Sequence, residues 1–330
     1  MCRTDRAASA PLILTSVGTF LPEREVRAED VLAEHGLSAS QIRVFRRLHG
    51  LDRLRLDPGL GLLDLLLPAA RSALARAGTP ERVRYVVYTH ALEQAAPTGV
   101  EPARALASAL GLRYAEAFAV NQHNCAQALT AIDLVGELLR AEGEEGDRAL
   151  VVAGDRVFSP LMQLDYGLGQ LLADGSAACV VSLGGPGDVV RAHAVSGGPD
   201  PAAGPALPAA QVGPERLAAT MLRALERTEL TLDDIDLVIP HNVNMTFWRQ
   251  TAKVLGIHPQ RIFLENIARY SHCFAADPLI NHRTLDDEGR LTPGCHYLMA
   301  AVGVGGSYAA TVLSRPPTHE HGHHGPERDD

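Results

Sequence analysis

The sequence predicts an α/β protein made of two similar halves, and two observations carry that prediction. Short apolar strand patterns alternate with longer amphipathic helix patterns along most of the 330 residues, as expected where helices cover a sheet. The same order of patterns then occurs twice, at an offset of about 150 residues, the size of one domain.

The elements can be justified in order. The apolar segment Pro11–Leu21 is far shorter than the roughly 20 residues of a membrane span, lacks a signal-peptide cleavage pattern and reads as a strand. Leu62–Gly78 has a helix pattern and Val83–Tyr88 a strand pattern; Pro214–Glu229 and Ile235–Pro240 repeat the pair. The segments ARALASALGL (Ala103–Leu112) and RQTAKVLGI (Arg249–Ile257) are helices, each closed by Leu-Gly. FAVNQHNCAQAL (Phe118–Leu129) matches IARYSHCFAADPL (Ile267–Leu279). Buried strands ALVVAGD (149–155) and YLMAAVG (297–303) follow, then DGSAACVVSL (174–183) and GGSYAATVLS (305–314). Two halves related by a pseudo-twofold axis would stack helices between sheets and bring equivalent loop ends together.

Composition narrows the function classes. A net charge of −9 argues against a general nucleic-acid binder. The five cysteines are odd in number and form no CxxC pair, which fits a reducing cytoplasm rather than a disulfide framework or zinc knuckle. No GxxxxGK[ST] or GxGxxG loop is present, and nothing calls for a cofactor or a structural metal. The tail from Pro316 to Asp330, with its HEHGHHG run, has little to bury and is expected to be disordered.

Three loops carry usable chemistry. Cys125 stands where the apolar helix pattern after VNQHN begins. Unpaired N–H groups and the helix dipole favour a thiolate there, the nucleophilic form. His241 follows the strand LVIP and faces a loop end; it can take the cysteine proton or donate to a thioester oxygen. His272 lies in the loop matching that of Cys125. Cys273 is a weaker rival nucleophile, because Pro278 is expected to interrupt the helix after it.

These residues, together with SVGTFLP, NCAQA, LADGSAACVV, PHNVN and GVGGSYAATVL, resemble the ketoacyl synthase III branch of the thiolase superfamily over residues 11–315. The resemblance implies a thiolase fold: duplicated βαβαβαββ halves in a five-layer αβαβα arrangement, with residues 1–185 as the nucleophile half, 186–315 as the histidine half and 316–330 as tail. It implies a cytoplasmic homodimer. It also implies acylation of Cys125 by a coenzyme A or carrier-protein thioester. The acyl-enzyme would condense with a malonyl-carrier-protein acceptor, in fatty-acid or, more in keeping with the departures below, specialised polyketide metabolism. Backbone N–H groups of Cys125 and Gly305 would form the oxyanion hole.

Departures from the family pattern leave alternatives open. His272 occupies the family's asparagine position, and a histidine can serve as base for transfer to an alcohol or amine. Its loss is expected to spare loading and slow the second half-reaction. The stretch QIRVFRRLHGL (41–51) lacks the family's adenine-stacking tryptophan, though Arg43, Arg46 and Arg47 can hold phosphates or an acidic carrier protein. Small residues around Ala96 leave room for a larger acyl group, Trp248 is a candidate for the pocket entrance, and Asn244 is a further substrate-binding candidate. A non-catalytic partner subunit is a reading of another class, opposed by the presence of both Cys125 and His241. A degradative thiolase would need a late CxG loop, which is missing around 303–306.

Overall fold

The computed structural model describes residues 10–78, 82–92, 95–198 and 213–317. Cys2 and nearly all of the His-rich tail lie outside the described residues. In the first half, β1 (Leu12–Phe20) leads through α1 (Ala39–Arg47) to α2 (Leu62–Ala77). Then come β2 (Val83–Thr89), α3 (Pro102–Ala109), β3 (Glu116–Val120), α4 (Gln127–Glu142), β4 (Arg148–Asp155) and β5 (Gly175–Leu183). The second half contains β6 (Asp188–Ser196), α5 (Pro214–Leu225), β7 (Leu237–Pro240), α6 (Met245–Leu255), α7 (Asp277–Asp287), β8 (His296–Gly303) and β9 (Ser307–Ser314).

The nine strands form one sheet in the order β7-β8-β9-β6-β1-β5-β4-β2-β3. Read outward from the central β1–β6 pair, each side runs first strand, last strand, then the parallel inner strands. β1 and β6 pair antiparallel, with Leu12 opposite Val190, and so join the two sides. The fifth, outermost position of the second side, the counterpart of β3, is reduced to a single parallel bridge, Val238 to Ile262. The segment aligned by sequence with β3 is instead a short helix, Glu265–Tyr270.

Helices divide the molecule into layers. α2 packs on β1, β5 and β4, and α3 on β2 and β3. On the far side α5 packs on β6, β8 and β9, with α6 against it. α4 and α7 fill the middle: α4 touches β2, β4 and β5 of one side and β6, β8 and β9 of the other, and α7 touches β7 and β8 as well as β1 and β5. That is the αβαβα order expected from the duplicated pattern. The central strands are buried along nearly their whole length, as continuous apolar runs such as ALVV and YLMAAV require.

Close approach of α2 to β1 depends on Gly18. A Cβ there would lie 2.4 Å from both the Ala69 carbonyl oxygen and the Ala73 nitrogen, backbone atoms that cannot swing aside. Gly18→Ala is therefore expected to destabilise the fold by about 1–3 kcal/mol, the usual range for overpacking. Urea denaturation checks this, and an unchanged midpoint would show that the interface yields.

Candidate active site

Cys125 sits in a 3-10 turn, Asn124–Ala126, directly before α4. The turn is bent: Gln122 and Asn124 have φ of 81° and 52°, a left-handed conformation that costs a side-chain-bearing residue of order 1–3 kcal/mol. It is held by the Gln127 side chain, which accepts from the His123 N–H at 3.0 Å. Gly303, at the end of β8, lies against it; a Cβ there would stand 2.1 Å from the His123 carbonyl oxygen. The glycine in contact with the nucleophile loop is thus Gly303. Gly305, the residue expected at an oxyanion hole, is exposed in the following turn at φ 94°.

The loop before α7 approaches from the other half. His272 donates its backbone N–H to the Leu171 carbonyl (3.1 Å), and its own carbonyl accepts from Ala173 (2.9 Å). The LADG segment of the first half therefore splints the histidine. His272 Nε2 lies 3.2 Å from Cys125 Sγ, and its Nδ1 lies 2.5 Å from Asp277 Oδ2. Cys125, His272 and Asp277 form a buried chain. Burial lowers the pKa of His272, but the negative charges at Cys125 and Asp277, with the hydrogen bonds to both, outweigh it and push the ring up to about 10. The arrangement sets a thiol against a protonated imidazole with a carboxyl group behind it, which can attack a carbonyl and move a proton.

Asp277 is the residue that sequence reading missed. It opens α7, with Pro278 in the first turn where a missing N–H is harmless. An Asp-Pro helix start five residues after His272 was the available signal. Besides His272, Asp277 accepts from the N–H of Cys273 (2.8 Å) and from the N–H and side-chain amide of Asn242 (2.6 and 3.2 Å). Asn281 extends the network, donating to the Pro240 carbonyl and the Asn242 side chain at 2.8 Å each. The His241 loop and the His272 loop are thereby tied to the same helix end.

His241 occupies a different place from the one expected of a cysteine base. Its ring lies 5.7 Å from that of His272, centroid to centroid, and it is His272 that meets the thiol. Burial and the neighbouring His272 charge hold His241 well below the usual histidine range, so it is neutral. Its Nδ1 is buried without a hydrogen-bond partner among the described residues. Because His272 contacts Cys125, the expectation that its loss spares loading does not fit this geometry.

Other sequence expectations are redirected. Trp248 does not line an entrance: it is fully buried, and its indole N–H donates to the His241 carbonyl at 2.7 Å. Asn244 caps α6 through the Phe247 N–H (2.8 Å) and donates to the Leu168 carbonyl (2.7 Å), so its side chain is committed to the fold rather than to a substrate. Cys273 is a poor nucleophile because it is fully buried, which holds its thiol well above the usual range, and not because of Pro278. Ala96 borders a cavity of about 330 Å³ with Leu62, Leu92, Pro97, Asp155 and Phe158. Arg43, Arg46 and Arg47 line a separate groove, where Arg46 pairs with Glu29 and Asp52. Among the described residues no His, Cys, Asp and Glu group has the arrangement of a metal site, and no helix is long and apolar enough to cross a membrane.

The chain is similar along most of its length to known proteins. A family model for the C-terminal part of 3-oxoacyl-[acyl-carrier-protein] synthase III matches residues 225–315. Over 323 residues the chain is 27% identical to beta-ketoacyl-[acyl-carrier-protein] synthase III 2 of Streptomyces coelicolor, covering 93% of this chain and 95% of that protein. Among solved structures, ChlB3, described as an acyltransferase, superposes with a TM-score of 0.80 at 24% identity, over 93% of this chain and 98% of the other. The 3-oxoacyl-(acyl carrier protein) synthase III of Pseudomonas aeruginosa gives 0.78 at 22% identity, over 93% and 98%. Both structures fix the fold as the thiolase fold.

The triad geometry makes Asp277 testable by thiol chemistry alone. Asp277→Asn removes a negative charge beside His272, so the ring holds its proton less firmly and draws the Cys125 proton less effectively. Alkylation of Cys125 by iodoacetamide at neutral pH is expected to slow roughly ten-fold, the equivalent of one pK unit. An unchanged rate would detach Asp277 from the nucleophile.

Proposed function

We propose that this chain, which is similar along nearly its whole length to ketoacyl synthases III, moves an acyl group from a thioester, through Cys125, to a hydroxyl or amino acceptor. The observation that carries this reading is His272, held between Cys125 at 3.2 Å and Asp277 at 2.5 Å. Decarboxylation of a malonyl group leaves no proton for a base to remove. Transfer to oxygen or nitrogen does, and a carboxylate-backed imidazole is built for that task.

The steps balance as follows. The Cys125 thiolate attacks the thioester carbonyl, and the tetrahedral oxyanion is held by backbone N–H groups, with that of Cys125 as the proposed donor. The intermediate collapses, and the departing thiolate takes the proton from His272. Acylation removes the charge that had kept His272 protonated, and burial, the largest influence on the ring, then favours its neutral form. Neutral His272 can now accept the proton of the incoming hydroxyl or amine, while Asp277 stabilises the imidazolium that forms. Cys125 leaves as thiolate and the pair is restored. His241, neutral and at the edge of the same site, is proposed as a donor to the carbonyl oxygen of the incoming or acyl group.

The cavity bordered by Ala96 is proposed for the acyl chain, and the groove of Arg43 and Arg47 for the phosphate-bearing donor, coenzyme A or a carrier protein. The outer edge of β3, which among the described residues pairs with β2 alone, supports a homodimer, checked by sedimentation. A cytoplasmic location and a place in specialised metabolism belong to the same proposal.

Decarboxylative condensation with a malonyl-carrier protein is the second reading. It is favoured by the neutral His241 beside His272, whose Nδ1 has no hydrogen-bond partner among the described residues, and by the names of the curated relatives. A non-catalytic partner subunit is disfavoured by the assembled triad. Intact-protein mass spectrometry separates the readings. An acyl-Cys125 adduct is expected to form from acyl thioesters, to be absent in Cys125→Ala, and to discharge onto alcohols or amines without loss of carbon dioxide. His272→Asn is expected to slow both half-reactions by ~10²–10⁴-fold. If malonyl-carrier protein discharges the adduct with release of carbon dioxide, and His272→Asn retains that activity, condensation is the function.

A further inference from the structure

Asp155 is the fully buried carboxyl group that the chemistry above leaves unused. It ends β4, and no ion pair reaches it among the described residues. Its Oδ2 accepts the Ala91 N–H at 2.9 Å and its Oδ1 the Leu92 N–H at 3.4 Å. A carboxylate buried without a cation is costly. An asparagine would avoid that cost but offers one acceptor oxygen, where the carboxyl group presents a separate oxygen to each of the two consecutive amides.

Those two amides matter because of where they stand. Ala91 and Leu92 follow β2 directly. Ala91 packs in one apolar cluster with Cys125, Leu172 and Phe274, and Leu92 lies against that cluster. Leu92 and Asp155 also border the cavity that contains Ala96. The same two residues of backbone therefore touch the surroundings of the thiol on one side and the cavity on the other, with the Asp155 carboxyl gripping them from behind.

We infer that Asp155 is a positioning residue for the acyl group, setting the Ala91–Leu92 wall and with it which acyl chains reach Cys125. The inference rests on the proposal that Cys125 is acylated but is independent of the acceptor. Three groups face or neighbour the carboxyl, His272 from the loop before α7, Tyr88 from β2 and Arg156 as the next residue, and Asp174 precedes Gly175, the β5 residue paired with Asp155. Burial dominates among the influences and raises the Asp155 pKa to about 7, opposed by the two amide bonds and by the charge on His272. The grip is full above that pH, when both oxygens accept, and weakens as the pH falls through it.

The test compares acyl loading across a chain-length series, from acetyl to long acyl thioesters, in the intact enzyme and in Asp155→Asn. Iodoacetamide labelling of Cys125 serves as a control that needs no cavity. In the variant, KM for the longer acyl thioesters is expected to rise about ten-fold, while iodoacetamide labelling stays within about two-fold. Chain-length preference in the unaltered enzyme is expected to change between roughly one pH unit above and one below the Asp155 titration, and that change is expected to vanish in the variant. An unchanged preference in Asp155→Asn overturns the inference. So does a parallel fall of loading and labelling, which would mean that Asp155 acts through the charge on His272. If the variant does not fold, the pH comparison on the unaltered enzyme decides, and a preference that is the same at both pH values overturns it. An enzyme that takes no acyl group from any thioester defeats the functional reading itself, a result distinct from an acylated enzyme with unaltered preference.

Discussion

The site depends on one carboxylate accepting four hydrogen bonds at the start of a helix. Asp277 takes bonds from His272 Nδ1, from the Cys273 N–H, and from the main chain and side chain of Asn242. The positive end of the α7 dipole favours its charge at that position. Two loops that are far apart in the chain thus end on the same two oxygen atoms. With the Asp277 charge compensated in this way, the charge on His272 can be sustained in a fully buried setting, where an unpaired ion would cost several kcal/mol.

The pseudo-symmetric architecture explains why such an arrangement is available. β1 and β6 join the two sides of the sheet, and α4 and α7 lie together between them. The turns that start these two helices meet: Asn124–Ala126 comes from one half and Phe274–Ala276 from the other. Both turns carry positive-φ residues without being glycine, at Asn124 and Phe274. Strain of this kind persists only where packing over-determines it, here through Gly303 pressed against His123 and Gly175 pressed against Cys273. The duplicated halves have diverged in chemistry: one turn presents a thiol, and the other presents an imidazole with its carboxylate.

The neutral and charged histidines illustrate how environment assigns roles. His241 and His272 are both buried and stand side by side. One has carboxylate and thiol partners and keeps its proton; the other faces the Ala300 backbone and an aromatic surround of Phe247 and Trp248 and is held neutral. A charge on one discourages a charge on the other. The pair therefore offers one protonated ring and one neutral polar ring side by side.

Much of this was legible in the chain alone. Apolar runs and Leu-Gly helix stops reported the α/β class and the repeat, because periodicity and capping are local properties. Cys125, His241 and His272 could be singled out because each stands at the end of a periodic element, where side chains face a shared loop layer. Which of the histidines meets the thiol was decided only by tertiary structure, since a one-residue shift in either turn redirects a side chain. The same holds for Trp248 and Asn244, whose polar groups are spent on His241 and Leu168 rather than on a substrate. Asp277 looked like an ordinary helix start and Asp155 like an ordinary strand end. Folding supplies the rest of their surroundings: the Asn242 amide held by Asp277 and the Ala91 amide held by Asp155 lie 35 and 64 positions away in sequence, where no local pattern registers them, whereas the five-residue spacing of His272 and Asp277 was the one local signal.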